Sequence, residues 1–153
     1  MILIRPATKD DIQVLQKLNK ELFLDNQKYD PKLKMDWPMS EKGEEYFSEL
    51  LDSEESIVLI ANDNQIPVGY LAAEEREVDY RSGKCVFLEN MEVSLEFRDK
   101  GIGGMLISEL VNLANEKGVR KLYVTTYLKN NEALDFYRKN GFLDIDITLE
   151  KSL

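Results

Sequence analysis

The seven residues Arg98-Asp99-Lys100-Gly101-Ile102-Gly103-Gly104 follow an apolar-rich run from Cys85 to Val93 and open onto an amphipathic stretch. The chain therefore passes from strand to helix through a turn built on glycine. Such a turn lets main-chain N–H groups approach a ligand with no Cβ in the way. The first turn of the helix adds further unpaired N–H groups and the positive end of its dipole. A diphosphate is the anion this cradle suits, held without a metal. Two familiar phosphate motifs are excluded. A P-loop needs Gly, four residues, then Gly-Lys-Ser/Thr, and no such string occurs. A dinucleotide fingerprint needs a third glycine at 106, where the chain has Leu106. An ordinary turn and helix start would use the same glycines, and that reading stays open at this point.

A second pattern lies thirty residues on, Asn130-Asn131-Glu132-Ala133-Leu134-Asp135-Phe136-Tyr137-Arg138-Lys139-Asn140-Gly141-Phe142. Asn130, Ala133, Leu134 and Tyr137 are three and four apart and share one face of a helix that Gly141 ends as a left-handed cap. Plain amphipathic packing has the same spacing. Together, Arg-x-x-Gly-x-Gly-Gly between strand and helix and Asn-x-x-Ala-x-x-aromatic-Tyr followed by Gly-Phe resemble the signatures of the GNAT superfamily of acetyl-CoA-dependent N-acetyltransferases. The resemblance covers nearly the whole chain.

At 153 residues the sequence predicts one domain, 1–153, able to bury about two-thirds of its unfolded surface. Its 43% hydrophobic and 32% charged residues are those of a globular, cytoplasmic protein. No apolar run is long enough for a membrane span, and the start Met1 to Pro6 is too short for a signal sequence. The single Cys85 allows no internal disulfide, and the absence of histidine removes the usual zinc ligand sets, so no metal is expected. A net charge of −9 argues against nucleic acid as a partner and suits a cationic one, although solubility alone gives acidic surfaces.

Periodicity predicts a short strand at Ile2–Ile4, then a helix capped by Thr8 or Asp10 with Ile12, Leu15, Leu18 and Leu22 as its stripe. Residues 26–39 read as a loop, and Ser40 caps a second helix with Tyr46, Phe47, Leu50 and Leu51 inward. Ser56–Ala61 and Pro67–Glu75 form a hairpin across Asn62-Asp63-Asn64-Gln65, followed by a strand from about Lys84 to Val93. The glycine cradle opens a helix with Ile102, Leu106, Leu110 and Ala114 inward, ended by Gly118. A strand at Lys121–Thr126, the Tyr137 helix and a last strand at Phe142–Leu149 complete the order β-α-α-β-β-β-α-β-α-β. This is a mixed α/β (α+β) domain with an antiparallel front and helix crossovers behind. It agrees with the GNAT fold, a strongly twisted mixed sheet whose central strands splay apart.

The resemblance implies that acetyl-CoA occupies the splay. Backbone groups of Met91 and Val93 would pair with its pantetheine arm, with Asn130 and Ala133 beside it. Amides of Arg98, Lys100, Gly101, Ile102, Gly103 and Gly104 would hold the pyrophosphate. It also implies direct acetyl transfer to an amine. An alkyl amine has a pKa of about 10 and must lose a proton before it attacks. With no histidine, carboxylates are the realistic bases. Glu89 is the candidate, because Leu88-Glu89-Asn90 resembles the Leu-Glu-Asp of spermidine/spermine acetyltransferases, with Asn90 departing from their aspartate. Glu92 is its rival if a bulge reverses the strand's faces. Tyr137 is implied as the acid that protonates the departing thiolate, and a strand amide near Met91 as the oxyanion donor.

Other residues have plainer readings. Without histidine to activate it, Cys85 is expected to be a buried inert thiol. Trp37 and Tyr29 either floor an acceptor pocket or anchor their loop. The acidic stretch from Glu41 to Glu55 is a solvated face or a cation-attracting rim. Function is expected to be N-acetylation of a small amine. The alternatives are a protein N-terminal or lysine acetyltransferase, marked by a peptide-length groove, and a non-catalytic acyl-CoA-binding module. A homodimer using the last strand is a further expectation.

Overall fold

The computed structural model describes residues 1–153. Its five-stranded sheet runs β1 (Ile2–Pro6), β2 (Ser56–Asp63), β3 (Ile66–Arg76), β4 (Cys85–Val93) and β5 (Lys121–Val124), adjacent in chain order. The first four strands are antiparallel, and β4 pairs with β5 in parallel. Four helices accompany them: α1 (Ile12–Asn26), α2 (Glu41–Asp52), α3 (Ile102–Glu116) and α4 (Asn131–Lys139). None is long and apolar enough to cross a membrane.

The central strands read as nearly continuous apolar runs because both faces of the sheet are covered. Ile57, Leu59, Ala61, Leu71, Ala73, Val86 and Leu88 pack against Ile102, Leu106, Ile107 and Leu110 of α3. The alternate residues Val58, Ile60, Tyr70 and Ala72 meet Leu15, Leu18, Phe47 and Leu50 of α1 and α2 on the other face. Helix starts follow their capping chemistry. Asp11 accepts from the Thr8 amide at 2.8 Å ahead of α1, and Ser40 Oγ accepts from the Gly43 amide at 3.3 Å in α2.

Two irregularities shape the middle of the sheet. In the β3–β4 ladder Ala72 faces Asn90 and Ala73 faces Leu88, so Glu89 is an extra residue without a partner, a β-bulge. The β4–β5 ladder runs only from Cys85–Lys121 to Leu88–Val124. Past the bulge the two strands part, so β5 ends two residues before the predicted Thr126.

The predicted last strand does not form. Phe142–Leu149 joins no ladder, and Leu143, Ile145, Ile147 and Leu149 are 85, 63, 65 and 84% exposed. Their alternation is that of a strand, but a strand exists only against an edge. The chain leaves α4 with Asp144 held by Arg138, Nε to Oδ1 at 2.9 Å and Nη2 to Oδ2 at 2.7 Å, and runs along no other element.

Candidate active site

Gly101 caps α3 with φ +78° and offers no side-chain oxygen, so the amides of Ile102, Gly103 and Gly104 have no acceptor within the chain. The glycines differ in what holds them. A Cβ on Gly103 would stand 2.9 Å from Phe136 and 3.2 Å from the Met91 methyl, so packing of α4 and β4 demands it. A Cβ on Gly104 would meet nothing nearer than Asn140 Oδ1 at 3.8 Å. A helical glycine that internal packing does not need costs about 0.5–1 kcal/mol against alanine. No packing within the chain requires glycine at 104. Gly101 and Gly104 open on a cavity of about 560 Å³ that includes Ser108, Asn112 and Asn140. Bare amides at a helix start facing an open cavity fit a diphosphate.

The other residues named for cofactor contact lie around this cradle. Ile102 is buried, leaving only its backbone to face a ligand. Lys100 is exposed, with Nζ 4.8 Å above the Phe97 ring. Arg98 turns inward, donating from Nε to the Val93 carbonyl at 2.8 Å and pairing through Nη2 with Asp25 and Glu92. Its side chain ties β4 to α1. The Val93 carbonyl therefore points off the β3 ladder, and by parity Met91, two residues back, presents its amide to the same free edge of β4. Asn130 caps α4, its Oδ1 accepting from the Ala133 amide at 3.1 Å.

On the opposite face, α1, α2 and the segment between them enclose a cup of about 290 Å³ against the bulge in β4. Four rings line it. Phe23 and Trp37 stack at 5.9 Å with 4° between planes, Tyr46 meets Trp37 edge-on at 5.6 Å, and Tyr127 closes the side beyond β5. Tyr29 supports the wall from behind by stacking on Tyr127 at 5.4 Å. Asn19 and Asn90 also line the cup. Each gives one amide atom to a tyrosine hydroxyl, Tyr70 at 2.9 Å and Tyr46 at 2.7 Å, and leaves its oxygen without a partner. The bulge brings Glu89 and Asn90, consecutive in sequence, to the same wall.

Glu89 is ion-paired with Arg76. Burial pushes its pKa up, Arg76 pulls it down and Glu74 pushes it up, with a net rise. Glu92 is elsewhere: 6% exposed, it shares Arg98 with Asp25 and contributes no wall to the cup. Burial pushes its pKa up to about 8, Asp25 adds to the rise and Arg98 opposes it. Tyr137 packs edge-on between Phe136 and Phe142 at 5.2 and 5.5 Å. Burial, and then the Glu92 charge, raise its pKa to about 12, so it stays protonated at neutral pH. Cys85 is a buried free thiol. Asn19, Phe23, Tyr46 and Tyr127 carried no motif in the sequence. Trp37 and Glu89 were the only cup residues that the sequence singled out as site candidates.

The cradle, at the start of α3, and the cup, under α1 and α2, thus lie on opposite faces of one sheet, in which β4 and β5 part past Leu88–Val124. The sequence model of the Acetyltransferase (GNAT) family matches residues 18–142. An uncharacterized N-acetyltransferase of Methanocaldococcus jannaschii is 26% identical over 145 residues, 94% of this chain and 62% of the relative, so the chain spans less than two-thirds of that protein's length. A thialysine N-epsilon-acetyltransferase of Bos taurus is 32% identical over 63 residues, 41% of this chain and 37% of that protein. The fold is similar to that of a mutant BH1408 protein from Bacillus halodurans, with a TM-score of 0.88 and 20% identity over 99% of each chain. It is also similar to the aminoglycoside N-acetyltransferase AAC(6')-Iy in complex with CoA, with a TM-score of 0.80 and 21% identity over 100% of this chain and 95% of that one. The chain belongs to the GNAT acetyltransferase family.

Proposed function

We propose that residues 1–153 form one N-acetyltransferase domain that moves an acetyl group from acetyl-CoA to the primary amine of a small molecule. One observation carries this reading. β4 and β5 part past the Leu88–Val124 pair, with bare amides of Ile102, Gly103 and Gly104 at the start of α3 on one face of the sheet and an aromatic cup with a carboxylate, Glu89, in its wall on the other.

Acetyl-CoA supplies the acetyl thioester. The amides of Ile102, Gly103 and Gly104 hold its diphosphate, and the free edge of β4 at Met91 and Val93 aligns its arm by adding to the sheet as a strand would. In the cup the rings surround the body of the acceptor, and their π faces favour its ammonium form on entry. The unpartnered oxygens of Asn19 and Asn90 accept from its N–H groups. Glu89 takes the ammonium proton, directly or through a water. Its raised pKa brings it nearer to that of the group it must deprotonate. Tyr137, protonated at neutral pH, returns a proton to the sulfur as the thiolate leaves. The amide near Met91 is the donor to the carbonyl oxygen in this scheme.

Cup size and charge narrow the acceptor. About 290 Å³ lies at the lower end of ligand pockets, which run from about 300 to 1,000 Å³. Glu89 is the only carboxylate in the lining, and Arg76 offsets part of its charge. These features suit a compact amine with one positive charge and an apolar or aromatic body better than a polycation or a peptide. The aminoglycosides of the structural neighbours are larger and carry several charges.

Calorimetry with acetyl-CoA, followed by release of free CoA over a panel of arylalkyl amines, lysine derivatives, spermidine and an aminoglycoside, tests the proposal. Binding with fastest release over the arylalkyl amines is expected. Binding with no release over any amine would make the protein a binding module, and no binding at millimolar acetyl-CoA would overturn the whole reading.

A further inference from the structure

We infer that the acceptor is an α-amino acid, its carboxylate held just outside the cup by Arg76, Arg81 and Lys121 while its apolar side chain fills the cup. The inference rests on the acetyl-transfer reading above and narrows its acceptor. Its ground is the stretch of sheet beyond Glu89, on the face that carries the cup. The ladders set Glu74, Phe87 and Tyr123 in one row across β3, β4 and β5, and Arg76, Cys85 and Lys121 in the next. Side chains abreast in a ladder share a face. Alternation along β3 from Tyr70 and Ala72, which pack under α1 and α2, brings Glu74 and Arg76 to that side.

Cations on this face are positioned without being neutralised. Phe87 and Tyr123 stack at 5.1 Å with 27° between planes and form a platform. Arg76 lies over Phe87 at 4.7 Å, and Arg81, from the bend between β3 and β4, lies over Tyr123 at 5.2 Å and Tyr80 at 5.8 Å. A ring face orients a guanidinium and leaves its charge and its N–H groups available. Arg76 gives Nη2 to Glu89 and makes no other hydrogen bond. Arg81 and Lys121 form no ion pair, in a chain with 29 acidic residues against 20 basic ones. Glu74 shares the platform's row, but it stands on β3, where its charge acts on Glu89 and Tyr46. The β5 side, with Lys121 and the Arg81 guanidinium over Tyr123, is left positive.

The cup adjoins this positive side. Tyr127 in its wall follows the end of β5 by three residues, and Glu89 in its wall is the partner of Arg76. A carbon whose amine meets Glu89 has two directions for its other substituents, inward among the rings and outward over the platform. The inward direction suits a hydrocarbon group. The outward one offers forked guanidinium donors and an ammonium, which match a carboxylate. One carbon that bears an amine, an apolar group and a carboxylate is that of an α-amino acid. A simple amine would leave Arg81 and Lys121 without a counter-charge, and a polycation would be repelled by them.

Calorimetry on the protein, with and without CoA, compares phenylalanine with phenethylamine, which lacks the carboxylate, and with phenylalaninamide, in which it is neutral. Exposed charge contacts are worth about two- to fivefold each, so phenylalanine should bind about five- to twentyfold tighter than either at low salt. The preference should shrink at about 0.5 M salt. Arg81→Gln with Lys121→Gln should bring phenylalanine to the level of phenylalaninamide, whereas Arg81→Lys, which keeps the charge, should retain most of the preference. Arg76 is left in place because it also acts on the Glu89 pKa. Equal affinity for phenylalanine and phenylalaninamide, a preference that survives the double substitution, or no binding of any of the three would overturn the inference. A carboxylate preference in binding, with no CoA released from acetyl-CoA over any of the three, would uphold the carboxylate site and sink the acetyl-transfer reading instead.

Discussion

Arg76 is ion-paired with Glu89 across the β3–β4 ladder, joining the end of β3 to the one residue of β4 that has no partner in it. Arg76 pulls the Glu89 pKa down against burial and Glu74, which push it up. Arg76→Met removes that pull, so the carboxyl titrates at higher pH. The acidic limb of the kcat/KM profile should move upward in pH. A limb that stays in place would show that it does not belong to Glu89.

Glu89→Gln removes the proposed base. General-base catalysis is worth about 10²- to 10⁴-fold, and kcat/KM should fall by that order with acetyl-CoA affinity unchanged. The acidic limb should disappear. Unchanged turnover across pH would remove Glu89 from the mechanism and leave water as the base.

Tyr137→Phe keeps the ring packing against Phe136 and Phe142 and deletes only the hydroxyl. A thiol pKa of about 8.5 makes thiolate a tolerable leaving group, so a loss of roughly ten- to a thousand-fold in kcat is expected. Acetyl-CoA affinity, read by calorimetry, should be retained. Collapse of affinity would mark Tyr137 as a packing residue.

Gly104 and Gly103 should respond oppositely to alanine. At 104 the new methyl meets nothing within the chain closer than 3.8 Å, so the melting temperature should hold or rise while acetyl-CoA affinity falls. At 103 it meets Phe136 at 2.9 Å, so stability itself should drop. A Gly104→Ala protein that binds acetyl-CoA normally would place the diphosphate elsewhere.

Glu92 links stability to pH. Its native pKa of about 8 is raised from 4.5, so the native state holds this proton more tightly than the unfolded chain. The contribution is complete below about pH 4.5 and is lost as pH rises towards about 8. Urea midpoints should decline over that window, and Glu92→Gln should flatten the decline. A slope equal in both proteins would contradict this account.

Much of the fold was legible because the two-faced sheet writes itself as apolar runs, as in Ser56-Ile57-Val58-Leu59-Ile60-Ala61, and because Ser40 and Gly118 mark helix limits by local chemistry. The cradle was legible for the same reason, since backbone approach needs glycine in sequence. The cup was not. Phe23 and Tyr46 come from α1 and α2 and Tyr127 from the segment after β5, and no spacing in the sequence links them until the fold brings them together. The bulge at Glu89 was equally hidden, since it depends on the register of β3 against β4. The motif named Arg98 for its amide, which donates to the Leu95 carbonyl at 3.3 Å, and gave no sign that Asp25, seventy-three residues earlier, pairs with its guanidinium. The last strand failed because alternation reports only a side-chain pattern, and Phe142–Leu149 meets no strand edge in the chain.

Placing the cradle and the cup on opposite faces of the sheet separates two kinds of selection. Under the proposed function, changes in α1, α2 or the segment between them would retune which nucleophile is admitted while the grip on the activated acyl donor, built from main chain, is left untouched. Such a scaffold can acquire a new acceptor through a few ring or amide substitutions around Trp37 and Tyr46, without having to reinvent its chemistry.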